Sequence, residues 1–217
     1  IPKSDLHHVS VAMYTPGWHP IIPMLKVKDK KIIINSYGIF KDDKLAHIIT
    51  IPEARILSIL SNMPSSGEWT YSITDNNNIH YSVTVRMENS AKTRVSRDSE
   101  GYHINVSIKS KGELEDLVPN INYYTSDNNL FDKENLLENK TFIEEIEKGY
   151  EELLRKKAEA LVYKAQNEFK MDIFNWVKYA QAKWRKDIDS IDWDYCFSNM
   201  NVNIDVNANV EYIGEET

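Results

Sequence analysis

Apolar and polar positions alternate through the middle of the chain, then change to a three-to-four spacing in its last third. Glu68–Thr74 and Ile79–Met87 alternate around Asp75-Asn-Asn-Asn78, and Ala91–Val95 and Tyr102–Ser110 alternate around Arg97–Gly101. Side chains on a strand change face at every residue, so each stretch predicts a strand with one apolar and one polar face. The sheet they build is antiparallel and covered on one side only. From Thr141 the period lengthens: Ile143, Ile146, Tyr150, Leu153, Leu154, Leu161, Val162, Ala165 and Phe169 form one stripe along a helix of roughly 28 residues, about 40 Å long. Thr141-Phe-Ile-Glu144 reads as a capping box at its start. Asp172 reads as the cap of a shorter helix carrying Ile173, Phe174, Trp176, Val177 and Trp184, and alternation returns in a last strand, Val202–Tyr212, stopping at Gly214.

The first third carries the same two signals more weakly. Asp5–Met13 alternates loosely and predicts a strand, and Thr15–Pro20 a turn-rich loop. Leu25–Ile34 and Tyr37–Phe40 predict paired strands with Lys28-Asp-Lys30 as a hairpin turn, and Lys41–Lys44 turns the chain into a third strand at Leu45–Ile49. Thr50 caps a short helix that has Pro52 in its first turn and Ile56, Leu57, Ile59 and Leu60 on its apolar side. Pro64-Ser-Ser-Gly67 is the strongest linker signal. It divides the chain into residues 1–63, the C-terminal portion of an upstream β-rich domain, and residues 66–217, an α+β domain whose antiparallel sheet is covered by the long helix and the shorter one after it.

Composition narrows the class. The 217 residues are 41% hydrophobic and 27% charged, the balance of a globular chain, and no apolar run reaches the ~18–20 residues of a membrane helix. A net charge of −7 opposes nucleic-acid binding, and the one dense basic cluster, Arg155-Lys156-Lys157, sits among Glu151, Glu152 and Glu159. The single cysteine, Cys196, can form no internal disulfide and reads as a small buried residue between two aromatics. The opening Ile1-Pro2 reads as the start of a fragment whose targeting segment lies upstream.

Candidate chemistry is thin. His7 and His8, taken as strand neighbours, face opposite ways and cannot share a metal ion with His19 without distortion. Glu144/Glu145 and Glu151/Glu152 diverge by about 100° on their helix, so they read as solubilising charges. No nucleophile–base arrangement or glycine-rich phosphate loop has the required spacing. Asn76–Asn78 and Asn128-Asn129 supply turn geometry. Trp176, Trp184 and Trp193 could stack a sugar or base, but helical spacing and apolar neighbours assign them to the core. No catalytic, cofactor or metal residue is assigned.

Two segments resemble one family, the spore germination Ger(x)C, or GerAC-like, lipoproteins. Gly38-Ile-Phe40-Lys41-Asp-Asp43-Lys44-Leu45, followed by Glu53-Ala54 and preceded by Pro23, is similar to the family's G-x-x-x-F-K-x-D-K-L segment, one residue tighter before the Phe. Gln166, Asp172-Ile173-Phe174, Trp184, Trp193, Phe197 and a strand ending at Gly214 resemble its tail. Family members often carry glycines after the Asp-Ile pair; Asn175-Trp176 stands there instead and predicts a straighter second helix. The lipid-bearing N-terminal cysteine of the family has no counterpart, and Cys196 cannot replace it. The resemblance implies a non-enzymatic lipoprotein subunit of a spore nutrient germinant receptor, without cofactors. It would assemble with A- and B-type membrane subunits, held by an upstream lipid anchor at the outer face of the spore inner membrane. A small-molecule or glycan-binding module and a cortex-directed glycan hydrolase are the alternatives. The first needs a concave apolar pocket with convergent polar groups, the second two carboxylates about 5–10 Å apart in a cleft.

Overall fold

A computed structural model describes residues 5–76, 78–99, 101–119 and 133–211. In chain order the elements are α1 (Leu6–Tyr14), β1 (Ile21–Lys28), β2 (Lys31–Lys41), β3 (Lys44–Thr50), α2 (Ile51–Leu60), β4 (Ser65–Thr74), β5 (His80–Asp98), β6 (Gly101–Pro119), α3 (Lys133–Glu138), α4 (Lys140–Lys164), a π-helical turn (Ala165–Phe169), α5 (Val177–Ile188), α6 (Trp193–Ser198) and β7 (Asn201–Glu211). The strands form a three-stranded sheet, β1-β2-β3, and a four-stranded sheet, β4-β5-β6-β7. Both are antiparallel and helices pack on them, so the class is α+β. Among the described residues no helix is long and apolar enough to cross a membrane.

The described residues gather into two compact units, one drawn from Ile1–Ser65, Ala91–Ile108 and Lys157–Asp205, the other from Ser66–Ser90, Lys109–Lys156 and Val206–Thr217. In the second unit the alternation is explicit. Trp69, Tyr71 and Ile73 of β4, Tyr81, Val83, Val85 and Met87 of β5, and Ala208 and Val210 of β7 are buried, with exposed or half-exposed residues between them. The first half of α4 lies on that face, burying Phe142, Ile146, Tyr150 and Leu154. The approach is close at Gly149, where a Cβ would stand 2.7 Å from Ile73 Cγ2 and 2.8 Å from Tyr71 Cε2. Two tyrosine hydroxyls fasten the layers: Tyr71 donates to the Ile146 carbonyl and Tyr150 to Asn89 Oδ1, each at 2.7 Å.

In the first unit, β1–β3 follow the predicted hairpin and turns, and α2 packs on β2 and β3. Thr50 caps α2 in a full capping box with Glu53, with Pro52 in the first turn. Gly38 makes room on the sheet, because a Cβ there would meet Leu45 Cδ1 at 2.8 Å and Phe40 Cε2 at 3.2 Å.

Several local expectations are corrected. The stretch expected as a strand at Asp5–Met13 is a helix, α1 (Leu6–Tyr14): Val9 N–H bonds the Asp5 carbonyl and Ala12 is buried, a pattern that the β-branched Val9 and Val11 disguised. The linker signal at Pro64-Ser-Ser-Gly67 shrinks, because β4 already starts at Ser65. Ile79–Met87 and Ala91–Val95 are one continuous 19-residue strand, β5, since Glu88, Asn89 and Ser90 keep the alternation going. The α4 cap is Asn139, whose Oδ1 accepts the Thr141 N–H at 3.0 Å, so Thr141 lies inside the helix. Cys196 is half-buried rather than core. Asn128-Asn129 and Gly214 lie outside the described residues.

Two glutamates of α4 bond a strand edge, and for Glu151 this exceeds the expected role of a solvated charge. Glu151 Oε1 accepts the Ala208 N–H and Glu147 Oε1 the Val210 N–H, both at 2.9 Å, on β7 at the margin of its sheet. Four residues of helix rise about 6 Å and two residues of strand span roughly 6.6 Å, so one carboxylate row matches one row of free amides. A strand edge that would template another chain is thereby occupied. Replacing Glu147 and Glu151 by Ala should cost about 1–3 kcal/mol and speed amide hydrogen exchange at Ala208 and Val210 on the order of tenfold. Unchanged exchange at those two amides would show that the carboxylates do not protect the edge.

Candidate functional site

The densest chemistry of the first unit is a buried pair of aspartates. Lys170 (φ 54°) and Asn175 (φ 63°) adopt left-handed conformations, so the chain coils tightly from the π-helical turn before α5 begins at Val177. Asp172 lies inside this coil, 1% exposed. Its Oδ1 accepts the Phe174 N–H at 3.1 Å; its Oδ2 accepts the Val177 N–H and the Trp193 indole Nε1–H, each at 2.8 Å. Asp172 therefore serves the first N–H of α5 from five residues upstream, and does not occupy the N-cap position expected for it. The expectation of a straighter helix also fails: Asn175, standing where the family often has glycine, takes the left-handed turn that asparagine tolerates.

Asp172 passes the network on through its own N–H, which donates to Asp194 Oδ1 at 3.1 Å. Asp194 Oδ1 also meets His19 Nε2 at 2.9 Å, and Lys41 Nζ donates to Oδ2 at 3.2 Å. The Asp194 and His19 side chains are only 11% and 6% exposed, whereas Lys41 remains 54% exposed. Burial raises the Asp172 carboxyl to about 6 against the opposing pull of its three N–H donors and of His19. For Asp194 burial also pushes upward, but the His19 contact, the Asp172 N–H and Lys41 outweigh it and hold the carboxyl below the usual range.

Around the pair the aromatic residues interlock. Trp193 is 4% exposed and Phe197 fully buried, as expected; Trp193 packs edge-on against Tyr102 at 5.8 Å. Trp176 and Phe174 stack at 4.4 Å, and the Trp176 indole N–H donates to the Leu60 carbonyl at 3.0 Å. Trp184 departs from the expectation: it is only half-buried, breaks the helical geometry of α5 at φ −135°, and lies edge-on to Tyr102 at 5.7 Å. Gln166 donates from Nε2 to the carbonyls of Phe197 and Met200 at 2.9 and 2.8 Å.

The arrangement holds backbone in place and presents no reacting group. Every bond to the Asp172 carboxylate comes from a donor of this chain, and solvent does not reach it. Beside Asp194 lies an open depression of about 560 Å³ lined by Lys41, Gln166, Lys170, Tyr195 and Asn199. Gln166 and Asn199 Nδ2 are already bonded to backbone carbonyls, so they do not converge on a common point. Burial and the Asp192 charge raise the Cys196 thiol, which disfavours the nucleophilic thiolate. His7 lies on α1, and among the described residues no three His, Cys, Asp or Glu side chains are grouped to hold a metal ion.

Sequence reasoning had singled out Gln166, Asp172, Phe174, Trp193 and Phe197, and the structure brings these together. It missed Asp194, which reads locally as an ordinary acidic residue in a short helix, and His19, considered only as a metal ligand. Lys41 belongs to the first family-like segment and Asp194 adjoins Trp193 of the second. Their contact joins the two segments across 153 positions.

The fold of this coil, its sheets and its helices is that of a solved protein. A crystal structure of the GerBC protein superposes with a TM-score of 0.71 over 97% of this chain at 17% identity, and the chain spans 61% of that protein's length. The sequence matches the family model "Spore germination B3/GerAC like, C-terminal" over residues 35–214, and the chain belongs to that family. Among curated proteins none matches it.

Two outcomes are expected at this site. The Asp172 carboxyl has its pKa raised on folding, from about 3.8 to about 6, so its protonated form favours the folded state. Its contribution is fully present below about pH 4 and lost as pH rises through 6. The stability advantage of the native chain over Asp172→Asn should therefore shrink by on the order of 3 kcal/mol between pH 4 and pH 7 in chemical denaturation. A flat difference would mean that the carboxyl titrates alike in both states. Trp193→Ala removes a buried ring and one donor to Asp172, and should cost ~3–5 kcal/mol in thermal unfolding. An unchanged melting temperature would assign that ring a surface role.

Proposed function

We propose that this chain is the C-terminal part of a non-enzymatic subunit of a spore nutrient germinant receptor, acting in receptor assembly or signalling. The observation that carries the reading is the family match over residues 35–214. The buried aspartate pair supports it, because the most chemically suggestive residues of the first unit are used to hold the chain itself. In the longer protein, residues 1–63 would close an upstream β-rich domain and residues 66–217 would form the C-terminal domain. An upstream lipid anchor would hold the protein at the outer face of the spore inner membrane beside A- and B-type membrane subunits.

Purification of the tagged full-length protein from detergent-solubilised spore membranes tests this. A polytopic membrane subunit should co-purify in stoichiometric amount and be lost in spores lacking that subunit's gene. Recovery of the protein alone, from membranes in which that subunit is present, would overturn the receptor reading.

A further inference from the structure

We draw no further inference here: the strongest candidate, the open depression beside Asp194 lined by Lys41, Gln166, Lys170, Tyr195 and Asn199, belongs to the site already described, where the Gln166 and Asn199 amides are bonded to backbone carbonyls of this chain.

Discussion

A carboxylate closed off from water holds the first unit together. Asp172 would be costly to bury as an isolated charge, and the three N–H groups that converge on its two oxygens offset part of that cost, the remainder showing as the raised carboxyl. Two of the donors are backbone amides that no helix or sheet bond satisfies, and the third is a side chain. The Phe174 amide lies in the coil, the Val177 amide at the unsatisfied start of α5, and the Trp193 indole on α6. An apolar residue of the same size would leave all three unpaired in the interior, and a carboxamide would set its own NH2 among donors. Asp194 repeats the device one step outward, accepting from the Asp172 amide and meeting His19 and Lys41. Two side chains thereby determine where residues 19, 41, 172–177 and 193–194 lie with respect to one another.

The second unit uses charge for a different purpose. There the core is apolar alternation under a helix, which specifies which face is buried but does nothing for the free edge of a marginal strand. Glu147 and Glu151 supply what the alternation cannot, because α4 and β7 have nearly commensurate repeats over one helical turn. The requirement is geometric as much as electrostatic. Glutamates three residues apart would fall short of the second amide.

Much of this was legible because it is periodic. The hairpins at Asp29-Lys30 and Asp42-Asp43, the capping of α2 by Thr50, and the long stripe from Ile143 to Phe169, which α4 and the π-helical turn share, follow from local chemistry that each segment carries alone. What was misread involves competition between two local signals or a partner far along the chain. Val9 and Val11 suggest a strand, yet the Val9 N–H bonds the Asp5 carbonyl in a helix that buries Ala12. Thr141 offers a cap, yet Asn139 two residues earlier reaches the free amide first. Of the aspartate pair only Asp172 stood out; nothing around Asp194 distinguishes it from the solvated Asp187 or Asp189, because its partners lie at positions 19, 41 and 172. Trp184 looked like its neighbours by composition, and only the kink in α5 separates it from them.

The residues that mark this chain as a family member are thus mostly spent on one another. Gln166 holds the carbonyls of Phe197 and Met200, Trp193 donates to Asp172, and Phe174 packs on Trp176 and near Phe197. A motif of this kind transmits a fold, since altering one member leaves another without its partner. It cannot by itself transmit a binding preference, because the groups that would express one are turned inward and bonded. Whatever distinguishes this protein from another with the same buried residues must be written on exposed positions. Fold and recognition are therefore separable here: the first is carried by buried charge between distant segments, and the second is left to the side chains that those segments do not use.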